Sequence, residues 1–160
     1  MKKISLGTNA LLFEDINQLS DVDKNLMKFA VKATKDAYAP YSKFSVGAAL
    51  LMEDDTIITG NNQENAAYPS GMCAERVAIW KASSSFPNKK VKKIAIAAIS
   101  SNKKLDRPVG PCGACRQTLF EYEVKQEKDV EVIFMGEVGN VIKTNSIASL
   151  LPFSFDNTYL

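Results

Sequence analysis

Three cysteines in two short clusters constrain the fold of this chain more than any other feature. Cys73 opens a Cys-Ala-Glu sequence that ends at Glu75, while Cys112 and Cys115 stand at C-x-x-C spacing, and the chain has no histidine. Three thiolates can fill three corners of a zinc tetrahedron and leave the fourth for water, as in catalytic sites; structural sites usually have four protein ligands. The fold is therefore expected to bring two segments that are distant in sequence to one ion.

Other interpretations of the cysteines explain less of the sequence. The C-x-x-C spacing also occurs in redox motifs, where both thiols would pair, but that interpretation leaves Cys73 and Glu75 unexplained. A purely structural zinc would lack its fourth ligand. The combined pattern is typical of sites where zinc activates water for attack on an amidine-like ring carbon and a non-ligating glutamate carries protons. Glu75 is the candidate for that role; its alternative role is a first-turn glutamate that favours the helix dipole.

The charge of such a site suggests further residues near the metal. Three thiolates and one Zn²⁺ carry a net negative charge, which would make the metal a weaker Lewis acid. Arg76, which follows Glu75, could donate a hydrogen bond to a ligand sulfur and withdraw charge from it, and Arg116 or Gln117 could do the same from the second cluster. The alternative is that these are ordinary surface side chains.

Length, charge and hydropathy indicate one ordinary globular domain over residues 1–160, with residues 1–20 as an N-terminal extension expected to add a strand. A net charge of +2 argues against a dedicated nucleic-acid surface, and the lysine-rich segment 89–93 is expected to be a solvated loop. No segment is long and apolar enough for a membrane span or a signal peptide. Unpaired thiols then favour a reducing cytoplasm.

Hydrophobic patterning predicts strands that alternate with helices. Ser20 is a candidate N-cap for a helix that ends before Pro40, because the residue before proline avoids helical geometry. Continuous apolar strands of this kind are usually buried on both faces. The prediction is an α/β fold, a three-layer α/β/α domain with a mixed sheet of about five strands. Strands are predicted at 2–13, 44–52, 56–60, 94–99, 130–135 and 141–144, and further helices at 73–84, 112–124 and 146–151.

Four blocks of sequence give a family resemblance. The first block, residues 39–50, begins Ala-Pro-Tyr-Ser-Lys-Phe, and the second, residues 60–69, begins Gly-Asn-Asn-Gln-Glu-Asn. The third is Cys-Ala-Glu-Arg at residues 73–76, and the fourth is Pro-Cys-Gly-Ala-Cys-Arg-Gln at residues 111–117. In these blocks the chain resembles the small homotetrameric cytidine deaminases over roughly residues 21–155. The resemblance implies hydrolytic deamination of cytidine and 2′-deoxycytidine to uridine and 2′-deoxyuridine, in pyrimidine salvage, with one zinc ion per subunit.

The same resemblance implies roles for several residues. Asn62 and Glu64 would hold the ribose 3′-hydroxyl, and Phe44 would pack near the pyrimidine ring. The backbone of Ala74 and the side chain of Glu75 would contact the base edge. Tyr68 lies in the second block and is a further candidate for substrate binding, and Phe155 would close over the substrate of a neighbouring subunit, with Phe153 as a rival for that role. These aromatic and polar positions complete the set of substrate-binding candidates, which is Phe44, Asn62, Glu64, Tyr68, Ala74 and Phe155.

Two alternatives remain open at this stage. A related deaminase that acts on blasticidin S or another nucleoside analogue shares the three-cysteine pattern, although segments 41–44 and 62–65 favour cytidine. A non-catalytic zinc protein that binds RNA would be expected to close the zinc shell or to lose the glutamate, whereas Glu75 is present. The expected partner is a small nucleoside, with no nucleic acid and no membrane.

Overall fold

The alternation of apolar strands and helices is realised along the whole chain in a computed structural model, which describes residues 1–5 and 7–160. Leu6, inside the predicted strand 2–13, lies outside the described residues. None of the described helices combines the length and the apolar character that a membrane span requires. The main elements are β1 Ala10–Phe13, α1 Asp21–Ala33, β2 Phe44–Met52, β3 Ile57–Asn61, α2 Ala74–Ser85, β4 Val91–Ser100, α3 Gly113–Lys125, β5 Glu131–Met135 and β6 Val141–Thr144.

The strands form one mixed sheet in the order β1-β6-β5-β4-β2-β3. β4 and β5 are parallel, joined by the crossover through α3, and the other neighbours are antiparallel. The sheet has six strands, so the predicted count of about five is wrong. The predicted N-terminal strand is shorter than 2–13: Ala10–Phe13 pairs with Val141–Thr144 and forms the sixth strand, beyond β6.

Helices cover both faces of the sheet, which confirms the three-layer α/β/α prediction. Alternate residues of the central strands point to opposite faces, because the side-chain period of a strand is two. One face packs against α1, with Leu26, Met27, Ala30, Ala49, Leu51, Ala95, Ala97 and Ile133 in its core. The other packs against α2 and α3, with Ala78, Ile79, Leu119, Leu50, Ile94, Ile96, Val132 and Phe134.

Local sequence explains where α1 begins and how closely it approaches the sheet. Ser20 Oγ accepts a hydrogen bond from the Asp23 N–H at 3.2 Å, as its N-cap position predicts. α1 crosses β2 at Gly47, where a Cβ atom would overlap the carbonyl oxygen of Ala30. Glycine is therefore required at this point of β2 for the helix to lie against the strand backbone.

Two elements differ from the sequence-based expectations in ways that have simple causes. The predicted helix 146–151 is a single 3-10 turn, Ala148–Leu150, in a segment that soon reaches Pro152. The lysine-rich segment 89–93 is a loop only up to residue 90, because residues 91–93 begin β4; there Lys92 Nζ lies 2.7 Å from Asp55 and Lys93 Nζ lies 2.6 Å from Asp23.

Candidate active site

One edge of the sheet collects the candidate site residues. β3 and β4 both run antiparallel to β2, so they end where β2 begins, and Phe44 at the start of β2 pairs with Ser100 at the end of β4. The chain leaves this edge from β3 towards α2, and from β4 towards α3. Both helices therefore begin close to this edge, each directly after a cysteine.

Three thiols meet between the starts of α2 and α3. Cys73 and Cys112 each occupy the N-cap position of a helix, and Cys115 lies in the first turn of α3. Their Sγ atoms all lie within 4.8 Å of one another, with 3.9 Å between Cys73 and Cys112. Sulfur atoms at adjacent corners of a zinc tetrahedron lie about 3.8 Å apart, given Zn–S bonds of about 2.3 Å. The cluster therefore has the dimensions of a metal site.

The surroundings of the cluster favour a thiolate at Cys73. Hydrogen bonding with the Cys115 thiol lowers the pKa of Cys73 to about 5 against the opposing effect of burial, and the Arg76 guanidinium contributes in the same direction. The same contact with Cys73, together with burial, raises the pKa of Cys115. The Arg76 guanidinium donates to Cys73 Sγ at 3.5 Å, the contact that the charge argument predicts for this side chain. The positive ends of the helix dipoles act in the same sense.

Glu75 is the acidic side chain beside the cluster. It lies in the first turn of α2, is only 4% exposed, and contributes to the cavity wall next to Cys73. Burial raises the pKa of Glu75, and the negative charge of Cys73 acts in the same direction. A carboxyl group in such surroundings is suited to accept and donate protons rather than to remain permanently charged.

A cavity of about 620 Å³ is lined in part by Cys73, Cys112 and Glu75. Its walls come from β2 and the segment before it (41–46), from the loop after β3 (62–72), and from residues 109–112 before α3. This volume lies within the usual range for small-molecule sites. Phe44 and Tyr68 contribute aromatic surface, and Asn62 and Glu64 contribute polar groups.

Asn62 and Glu64 are both fixed by hydrogen bonds to the segment 41–46. Asn62 Oδ1 accepts from the Val46 N–H at 2.7 Å, and Asn62 Nδ2 donates to the Phe44 carbonyl oxygen at 2.9 Å. Glu64 accepts from the Tyr41 N–H at 2.9 Å, from the Ser42 N–H at 3.3 Å, and from the Ser42 hydroxyl. Hydrogen bonds from Ser42 and from the Tyr41 backbone hold the pKa of Glu64 below its usual value.

Of the remaining predicted residues, Ala74 lies beside Glu75, whereas the side chains of Gln117 and Arg116 contact other parts of the chain. Ala74 is buried at the first residue of α2, next to Glu75. Gln117 does not donate to a sulfur; its Nε2 donates to the carbonyl oxygen of Phe155 at 2.8 Å. Arg116 likewise points away, donating to the carbonyl oxygens of Pro111 at 2.8 Å and Leu150 at 3.0 Å.

The aromatic candidates of the C-terminal segment lie outside the cavity of this chain. Phe155 is 56% exposed, and its ring stacks on that of Tyr159 at 5.5 Å between centroids. Phe153 is 83% exposed and has a φ of +56°. Among the described residues, neither contributes to the cavity wall beside Glu75.

Sequence reasoning missed two residues that position the site. Gly60, in β3, lies under α2: a Cβ there would stand 2.5 Å from the Ala78 nitrogen and 2.6 Å from the Ala74 carbonyl oxygen. Ser42 contacts Glu64 through both its backbone and its hydroxyl. Both residues lie in the motif blocks, and each has a local signal: a glycine in a strand suggests close backbone approach, and a serine two residues before Phe44 is typical of a side-chain turn.

The chain matches the sequence model of the family described as "Cytidine and deoxycytidylate deaminase zinc-binding region" over residues 20–128. This span contains the three cysteines, Glu75 and the four motif blocks. It leaves out β1, which lies in the N-terminal extension, and the residues after 128, which include β5 and β6.

Individual relatives agree with the family match. The cytidine deaminase of Halalkalibacterium halodurans is 42% identical over 130 residues, which make up 81% of this chain and 91% of the relative. The cytidine deaminase of Sporosarcina psychrophila is 42% identical over 135 residues, 84% of this chain and 91% of the relative.

A solved structure shows the same fold. The crystal structure of cytidine deaminase from Burkholderia pseudomallei superposes with a TM-score of 0.72 at 35% sequence identity, and it covers 86% of this chain and 100% of its own. Sequence, fold and the convergence of cysteines and glutamate thus agree with one another. The chain belongs to the cytidine deaminase family of hydrolases.

Proposed function

We propose that this protein is a zinc-dependent deaminase that hydrolyses cytidine and 2′-deoxycytidine to uridine and 2′-deoxyuridine, with release of ammonia. The observation that carries the proposal is that Glu75 and two of the three clustered thiols, Cys73 and Cys112, line the same cavity of about 620 Å³ as Asn62 and Glu64. The reacting groups lie at helix starts, and the candidate sugar-binding groups lie in the loop after β3. The relatives named above, at 42% identity, support the nucleoside as substrate.

Cys73, Cys112 and Cys115 would hold the zinc ion. Their spacing fits three corners of a tetrahedron, and sulfur ligands suit this metal. When bound, zinc supplies Lewis acidity that lowers the pKa of a water molecule and so provides a nucleophile for C4 of the cytosine ring. Arg76 withdraws charge from the Cys73 sulfur through its hydrogen bond, which counters the excess of negative charge on three thiolates.

Glu75 moves the protons of the reaction. Its carboxylate takes a proton from the attacking water, delivers it to N3 of the ring, and carries the second proton to the departing amino group. The buried first turn of α2 holds this carboxylate beside the thiols and keeps it from bulk water. The adjacent backbone of Ala74 contacts the base edge, so that the ring is presented to the carboxylate in one orientation.

Lining residues from the segments 41–46 and 62–68 bind the nucleoside. Phe44 packs against the pyrimidine ring, Tyr68 contributes a second aromatic surface, and Asn62 and Glu64 hold the sugar 3′-hydroxyl. A site that grips the 3′-hydroxyl accepts both ribose and 2′-deoxyribose, which is why both nucleosides are proposed as substrates.

The proposal also covers the oligomeric state, the cellular location and the metabolic role of the protein. We propose one catalytic domain over residues 1–160, assembled as a homotetramer in the cytoplasm and serving pyrimidine salvage. Phe155 would then act on the substrate of a neighbouring copy, which agrees with its exposure and its position outside its own cavity. Light scattering of the purified protein at micromolar concentration should give four times the monomer mass, and a monomer mass would contradict the assembly.

An absorbance assay tests the substrate. Purified protein should deplete the cytidine absorption band and that of 2′-deoxycytidine, with cytosine, dCMP and blasticidin S as comparison substrates. Turnover of blasticidin S in preference to cytidine would favour the analogue deaminase instead. If zinc-loaded protein turns over no nucleoside, the proposed function is wrong.

A Glu75→Gln variant tests the mechanism. It should retain one zinc per subunit by metal analysis and lose turnover by a factor of about 10² or more, the usual contribution of a general acid–base group. Glu121→Gln, on the exposed surface of α3, is the matched control and should keep the parent rate. If Glu75→Gln keeps full activity, the proton-carrying role is wrong even where the substrate is right.

A further inference from the structure

Three donors from two consecutive residues hold the Glu64 carboxylate. The Tyr41 and Ser42 N–H groups donate to Oε2 at 2.9 and 3.3 Å, and the Ser42 hydroxyl donates to Oε1. An ionised carboxylate offers about four acceptor sites, two on each oxygen. Both sites of Oε2 and one site of Oε1 are therefore used inside the protein, which leaves a single acceptor position, on Oε1, for a ligand.

The direction of the Ser42 hydroxyl is set by its other neighbours. Ser42 Oγ accepts a hydrogen bond from the Phe44 N–H at 3.0 Å, and the Ser42 carbonyl oxygen accepts one from Asn102 Nδ2 at 3.2 Å. Since an oxygen lone pair is used by Phe44, the hydroxyl proton is directed at Glu64, which as a carboxylate can only accept. Ser42 thus links the backbone that carries Phe44 to the carboxylate across the turn.

Asn62 does not depend on this link. Its side chain is held between the Val46 N–H and the Phe44 carbonyl oxygen, and its backbone N–H donates to the Val46 carbonyl oxygen at 3.1 Å. Removing the Ser42 hydroxyl would leave these contacts in place and free only one oxygen of Glu64. The two candidate sugar-binding residues can therefore be perturbed separately.

We propose that Ser42 is a positioning residue that aims the one free acceptor of Glu64 at the sugar 3′-hydroxyl, and so sets how strongly the enzyme discriminates against nucleosides that lack this hydroxyl. The inference rests on the proposed role of Glu64 in holding the sugar. With Ser42 in place, Glu64 can accept one sugar hydroxyl only. Without it, the carboxylate keeps its backbone contacts on Oε2 but can turn about them, and Oε1 loses its fixed direction.

The test compares cytidine with 3′-deoxycytidine in the parent enzyme and in Ser42→Ala. In the variant, kcat/KM for cytidine should fall about tenfold, mainly through a higher KM, because a hydrogen bond that orients a charged group is lost. The kcat/KM for 3′-deoxycytidine should stay within about twofold, since that substrate has no hydroxyl for Glu64 to bind. The ratio between the two substrates, large in the parent, should therefore shrink about tenfold.

Further variants separate positioning from general damage. Ser42→Thr keeps the hydroxyl and should restore the parent ratio. Ser45→Ala removes a hydroxyl from a residue of β2 that lies on the opposite face of the strand from Phe44 and Val46, which line the cavity, and it should leave the ratio unchanged. Should Ser42→Ala fail to fold, the near-isosteric Ser42→Cys, a weaker donor, should show a smaller loss confined to cytidine.

Each outcome decides between the two proposals. An equal loss for both substrates, or no loss for either, overturns the role of Ser42 while the deaminase proposal stands. A parent enzyme that turns over cytidine and 3′-deoxycytidine equally well overturns the sugar contact of Glu64 and this inference with it. A parent enzyme that deaminates neither removes the proposed function itself.

Discussion

Glu123 offers a test of how the second helix of the site is held in place. Its side chain is 6% exposed at the C-terminal half of α3, the helix whose first turn carries Cys115. The carboxylate accepts from the backbone N–H groups of Val130 at 2.8 Å, Ile147 at 2.9 Å and Ala148 at 3.1 Å. One side chain thus joins α3 to the residue before β5 and to the turn after β6.

Replacing Glu123 with alanine leaves these three N–H groups without an acceptor. The Val130 and Ile147 donors are buried, and an unsatisfied buried donor costs about 1–3 kcal/mol, so these two give a loss of about 2–6 kcal/mol in the free energy of unfolding. The Ala148 donor is only partly buried, and water can replace the carboxylate there. For a chain of this length, 1 kcal/mol corresponds to about 2–4 °C in Tm, so Tm should fall by roughly 4 °C at least.

Urea unfolding followed by circular dichroism, at one fixed protein concentration, measures this loss. Glu123→Gln should lie between the parent and Glu123→Ala, because the amide keeps one accepting oxygen but turns an N–H group towards the backbone donors. Glu121→Ala, on the exposed surface of the same helix, controls for helix propensity and should change stability by less than about 0.5 kcal/mol. If Glu123→Ala and Glu121→Ala shift the urea midpoint equally, the reasoning from buried donors is refuted.

Three further predictions concern the sheet, a buried ion pair and the metal. Gly60→Ala should lower both Tm and kcat, because α2 must move away from β3 and carry Glu75 with it; Gly7→Ala, where a Cβ meets no atom within 4 Å, should change neither. Hydrogen bonds from two lysines more than offset burial and keep the pKa of Asp23 below its usual value, so its stabilising contribution is present above the unfolded pKa and is lost as pH falls through the lower folded value. The stability difference between the parent and Asp23→Asn, from urea midpoints, should therefore be constant above about pH 5 and shrink below about pH 4; a difference that grows on acidification contradicts the assigned direction. Chelation of zinc from the purified protein should abolish turnover and lower Tm, and zinc should restore both; full activity in metal-free protein would contradict the proposed cofactor.

The sequence predicted the elements of the fold well because their signals are local. The N-cap at Ser20 and the apolar runs of the central strands specify helix and strand without knowledge of the partners. The cysteine spacing predicted a shared metal site for a different reason: neither a redox pair nor a structural zinc accounts for all three thiols together with Glu75. The zinc ligands and the substrate-binding roles stay predictions, which the experiments above address.

The extent of the N-terminal strand and several contacts could not be predicted because they depend on distant segments. Ala10–Phe13 is short and largely exposed, and its pairing with Val141–Thr144 determines which part of the segment 2–13 forms the strand. Gln117 was assigned to a sulfur on sequence proximity, but the C-terminal segment supplies a carbonyl oxygen that it contacts instead. The hydroxyl direction of Ser42 likewise follows from tertiary neighbours.

The close contact of α2 with β3 at Gly60 has a consequence for redesign of the enzyme. Direct contact between the two backbones at Gly60 sets how closely the helix approaches the strand, and this contact involves no side chain of the cavity wall. In the proposed function, substrate specificity depends instead on Phe44, Tyr68 and the loops next to them. An engineer could therefore exchange those loops to admit bulkier or differently decorated nucleosides while the chemical step continues at its original pace.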